Sequence, residues 1–162
     1  MLSRLIKFIH ELGAIGVIGA FAADLVLIRY SPTDSLVGYA AVRQGIAAIS
    51  QWLLVPSLAL TLISGLLAFA ATEAYKNAGW AWTKALLGIS MFEGALLTVA
   101  ASARHAAELS ALAASGHPDP AQLAEVLRTE RGGIWVLLFV AILNVVIGVW
   151  RPRFTRLSVS PD

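Results

Sequence analysis

Four apolar stretches, each about long enough to cross a bilayer once coiled into a helix, limit what this chain can fold into. They run from about Leu5 to Ile28, Ile46 to Ala71, Trp82 to Ala103 and Ile134 to Trp150. A crossing takes about 20 apolar residues as an α-helix. The chain is 58% hydrophobic and 14% charged, against about 25% charged in soluble domains. It has too little polar surface to cover itself in water. The expectation is an all-α transmembrane four-helix bundle, a single integral membrane domain over residues 1–162.

The residues within and between the runs add detail. Span one carries small residues through its middle, Gly13, Gly16, Gly19, Ala20 and Ala23, which let a neighbouring helix approach closely. Pro56 lies inside span two and predicts a kink there. Trp80 and Trp82 mark the headgroup end of span three, and Trp135 and Trp150 bracket span four. Between spans three and four, Gly116-His117-Pro118-Asp119-Pro120 reads as a turn. Ala121–Arg131 follows with Leu123, Val126 and Leu127 on one face, which predicts a short amphipathic interfacial helix in a long connection from Arg104 to Gly133. Arg4 and Lys7 before an apolar stretch imitate a signal peptide, but His10 and Glu11 interrupt its front.

Four crossings put both termini on one side. That side carries Arg4, Lys7, Lys76, Lys84, Arg151, Arg153 and Arg156, and the other carries Arg29, Arg43, Arg104, Arg128 and Arg131. The excess favours cytoplasmic termini. The basic residues flank the apolar runs, which suits lipid headgroups as partners and not nucleic acid. The chain has no cysteine, which removes disulfides, iron–sulfur clusters, thiolate zinc sites and thiol catalysis together. Neither a metalloprotease HExxH nor a hydrolase GxSxG is present.

Ionisable groups inside hydrocarbon cost roughly 2.5–3.5 kcal/mol on insertion scales, and mark function by default. The candidates are His10, Glu11, Asp24, Lys84, Glu93, Arg104 and His105, with Gln51 and Asn144 as neutral companions. His10 and Lys84 fall near the same membrane face. His105 lies about 30 Å away at the opposite face, so a haem held on the His10 side takes His10 as ligand, with Lys84, water or nothing opposite. Lys84 can equally snorkel beside Trp80 and Trp82. Glu93 is about 13.5 Å deeper than Lys84 along the helix and is expected to meet Gln51, Asn144 or Ser50 of another span.

Two stretches carry a family likeness. One is Arg43 through Gly65, with Trp52, Pro56 and Leu62-Ile63-Ser64-Gly65. The other is Gly79-Trp80-Ala81-Trp82-Thr83-Lys84-Ala85-Leu86-Leu87. With His10 they resemble small four-helix bacterial integral membrane proteins: the HemJ-type protoporphyrinogen oxidases, the copper-resistance D-like domains and further families without an assigned activity, the last being the nearest likeness. The resemblance implies a bacterial inner membrane location. For the HemJ type it also implies a bound haem b, with His10 as haem ligand and Lys84 as a cofactor-binding and catalytic residue.

Three functions follow as expectations. The first is an accessory or structural subunit without enzymatic activity, packing against itself as a homo-oligomer or against a larger membrane complex. The second is a b-type haem-binding membrane oxidoreductase using His10 and Lys84. The third is a small proton-coupled transporter subunit using Glu93.

Overall fold

A computed structural model describes residues 2–76 and 78–150; the basic tail at Arg151, Arg153 and Arg156 lies outside the described residues. Helix α1 spans Leu2–Arg29. After a short loop, α2 (Leu36–Ile49) starts at Ser35, whose Oγ accepts from the Gly38 N–H at 3.0 Å, satisfying one of the helix's free donors. A π-helical turn at Ser50–Leu54 joins α2 to α3 (Val55–Ala71). The turn ends two residues before Pro56, which has no N–H and whose ring crowds the preceding turn. Widening that turn accommodates the ring without breaking the rod.

Helix α4 is a single turn, Glu73–Lys76. Helix α5 (Gly79–Gly94) continues through a second π-helical segment, Ala95–Ala100, into α6 (Ala101–Ala114). Helix α7 runs unbroken from Pro120 to Trp150. The described chain is therefore all-helical, with four rods long and apolar enough to cross a membrane: Arg4–Arg29, Leu36–Ala71, Gly79–Ala114 and Pro120–Trp150.

The expected interfacial helix is not a separate element. Ala121–Arg131 forms the first turns of α7, continuous with span four. The connection shrinks to a turn at residues 115–119. Gly116 adopts φ +93°, and the N–H groups of His117 and Gly116 return to the carbonyls of Leu112 and Ala113 at 2.9 and 3.2 Å. This is a Schellman stop. Asp119 then caps α7, its Oδ1 accepting from the Gln122 N–H at 3.0 Å, with Pro120 at the first helical position. Gly132-Gly133 does not break α7, because Gly133 is a packing position: a Cβ there would run into Thr98 and stand 3.3 Å from Val99 Cγ2.

Two rods have 36 residues each, about 54 Å at 1.5 Å per residue, against about 30 Å of hydrocarbon. The excess lies at the end of the bundle away from Leu2 and Trp150. There α2, α6 and the start of α7 project together. Helix α2 buries Ala40, Arg43 and Ile46, and α6 buries Ala103, Ala106, Ala107 and Ser110. The core below them is Val17, Ala20, Phe21, Leu54, Leu58, Met91, Ala95, Val99, Ile134 and Leu137. Outside, Ile15, Trp52, Ile63, Leu86, Leu97, Phe139 and Ile142 are exposed, a surface suited to lipid.

Gly13 and Gly16 of span one are used for packing within the chain. A Cβ on Gly13 would stand 2.8 Å from the Ser57 carbonyl oxygen, and one on Gly16 would be 2.9 Å from Ser57 Cβ. Helix α3 fills that groove. Gly19 points away, with nothing within 4 Å.

Candidate functional site

Polar side chains concentrate where the apolar spans meet the projecting cap. Asp24 lies just over one turn before the end of α1 and is 0% exposed. Arg43 on α2 and Glu130 on α7 are each 1% exposed, and Ser50, at the start of the first π-helical turn, is 0% exposed. Arg43 and Ser50 are seven residues apart on one helical face, two turns along. Glu130 stands four and seven residues before the core residues Ile134 and Leu137, so the same helical spacing turns it inward.

Arg43 Nη2 donates to Glu130 Oε2 at 2.5 Å, a fully buried ion pair. Ser50 Oγ donates to Asp24 Oδ2 at 3.4 Å, a long contact. Through Ser50, Asp24 joins the helix face that carries Arg43 two turns along. Among the described residues, three buried side-chain polar atoms have no hydrogen-bond partner: Asp24 Oδ1, Arg43 Nε and Glu130 Oε1. Orphaned polar groups of this kind are rare in folded proteins. Phe21, Ile46 and Ile134 are among the fully buried apolar side chains of the same rods.

This cluster is only partly legible in the sequence. Asp24 is among the ionisable residues expected in a span, but hydropathy puts Arg43 in a connection and Glu130 in the interfacial helix. The signal that finds them is helical periodicity carried across the ends of the apolar runs: Arg43 with Ile46 and Ser50, and Glu130 with Ile134 and Leu137.

The other candidates are dispersed. His10 is half-buried between α1 and α3; its Nδ1 lies 2.9 Å from the Thr61 carbonyl oxygen and 3.2 Å from Ser64 Oγ. Lys84 is half-buried beside α7, where a Cβ on Gly148 would stand 2.5 Å from its Nζ. The aromatic end of span three is ordered by contacts. Trp82 Nε1 donates to the Lys76 carbonyl at 3.0 Å, and its ring meets Phe69 edge-on at 4.7 Å.

Glu93 does not meet another span. It is exposed on the outer face of α5 and makes no hydrogen bond or ion pair among the described residues. Its expected partners are elsewhere: Gln51 is exposed, Asn144 is half-buried and Ser50 bonds Asp24. An interior path through Glu93 is therefore not formed among the described residues of this chain. Beside this face, an open apolar groove of about 320 Å³ runs between α5 and α7, lined by Leu87, Ser90, Gly94, Thr98, Gly133 and Leu137 among others. Among the described residues, no group of three or more acidic, histidine or cysteine side chains is arranged to hold a metal ion.

No family model, curated protein or solved structure matches this chain.

Proposed function

We propose that this protein is a small four-span membrane subunit without enzymatic activity, which packs laterally against a second copy or a larger membrane complex through the outer face of α5. One observation carries the reading: Glu93, near the middle of its span, faces outward. A carboxyl group turned to hydrocarbon costs several kcal/mol unless neighbouring protein covers it. The neighbouring positions Leu86, Ile89 and Leu97 are exposed and apolar, which suits helix packing around a single polar contact. Gly13 and Gly16 of span one do not provide this surface, because α3 packs against them.

The chain lacks cysteine, so single cysteines can be introduced cleanly while Glu93 is kept. Ile89→Cys and Leu97→Cys should cross-link to a second copy or to another membrane protein in native membranes, and Phe139→Cys should not. Equal failure of all three to cross-link would end the proposal.

A second reading, a b-type haem protein, has one geometric support. With Nδ1 donating to the Thr61 carbonyl, His10 keeps its Nε2 lone pair for a ligand, the orientation that metal-bound histidines use. An absorbance spectrum tests it. A Soret band lost in His10→Ala supports it, and no Soret band in haem-replete protein removes it.

A further inference from the structure

We propose that Asp24, within the buried cluster with Arg43 and Glu130, is a binding site for one exchangeable positive charge, taken as a proton or as a small monovalent cation such as sodium. Charge balance is the first argument. Two carboxylates and one guanidinium, all ionised, leave one excess negative charge. All three side chains are at most 1% exposed. An uncompensated charge in such surroundings is strongly unfavourable. Glu130 already has its cation in Arg43. Asp24 is the acid left over, and no ion pair reaches it among the described residues.

Hydrogen-bond accounting is the second argument, and it is independent of the first. The ion pair uses Arg43 Nη2 and Glu130 Oε2, and Ser50 reaches only Asp24 Oδ2. Asp24 Oδ1 and Glu130 Oε1 remain as open acceptors, and Arg43 Nε as an open donor. Open carboxylate oxygens take a proton or coordinate a hard cation. The free N–H matches an oxygen of water accompanying that charge, since buried waters typically bridge polar groups left over by the fold.

Each neighbouring element contributes a known set of groups. Helix α2 brings Arg43, the π-helical turn brings Ser50 and α7 brings Glu130, with Arg131 exposed beside it. Helix α6 turns inward Ser102, Ala103, Ala106 and Ala107; its His105 is half-buried. The buried cation, Arg43, is thus already committed to Glu130.

The test uses the full chain in lipid nanodiscs. The other aspartates, Asp34, Asp119 and Asp162, are replaced by asparagine, and the remaining aspartate is labelled with ¹³C. Asp24 itself is unchanged, so the readout does not depend on a core variant folding. Infrared spectra then report the protonated-carboxyl stretch of Asp24. Its loss as pH rises, alike in sodium and in N-methylglucamine, identifies a proton. Its loss at fixed pH when sodium replaces N-methylglucamine identifies the metal cation. Either result supports the site. A stretch that persists from acid to alkaline pH in both salts would show a permanently neutral structural acid and overturn the proposal. So would the absence of any response of Asp24 to pH or sodium.

Discussion

Arg43 illustrates how much a single buried side chain can decide in this fold. Its guanidinium joins α2 to α7 through Glu130, with both partners closed off from bulk solvent. Removing one member of a buried pair typically costs about 3–5 kcal/mol, whereas replacing both by apolar groups is often neutral or stabilising. Arg43→Met should therefore lower unfolding stability by about that amount, and Arg43→Met with Glu130→Leu should recover most of it. Denaturant titration in mixed micelles measures both. Equal losses in the single and double variants would show that the pair contributes through packing and not charge. Gln51, by contrast, is exposed on the π-helical turn, and Asn144 is only half-buried. Polarity within a span does not by itself identify the residues that matter.

Among the elements, the contact between α1 and α3 is the closest. Gly13 and Gly16 lie against Ser57 and Thr61, and His10 closes the same seam one turn further along. Backbones approach this closely only where side chains are absent. Gly16→Leu should destabilise the bundle by about 1–3 kcal/mol through overpacking, while Gly19→Leu, facing open space, should change stability little. A thermal scan of the two variants separates them. The spacing of small residues predicts a close helix neighbour but does not say which one. The helix ends are the least legible elements. Arg104 and Gly132-Gly133 look like the edges of spans, because hydropathy marks where lipid ends and not where a helix ends. The true stop, at Gly116 through Pro120, is visible as a turn because it rests on local chemistry: a left-handed glycine, a capping aspartate and a proline at the first helical position.

Across the bundle, two polar features divide the work. The buried cluster of Asp24, Arg43 and Glu130 lies under the projecting ends of α2, α6 and α7 and ties three rods together. Glu93 lies on the outside. The four rods are legible because apolar runs of bilayer length, four in so short a chain, find enough apolar surroundings only in lipid. The direction in which Glu93 points is not, since that depends on how α5 rotates against its neighbours, which a helix with apolar residues on every side does not record. If the proposed role holds, lipid surrounds most of this bundle while protein covers the outer face of α5. Spin labels at Ile89 and Leu97 on the third rod, and at Phe139 and Ile142 on α7, test this in reconstituted native-like membranes. All four positions are exposed in the single chain. The α7 labels should be accessible to dissolved oxygen and not to a water-soluble relaxant, and the labels at Ile89 and Leu97 should be shielded from both. Labels at Ile89 and Leu97 as open to oxygen as those on α7 would contradict the covered face, and labels open to the water-soluble relaxant would contradict the membrane itself.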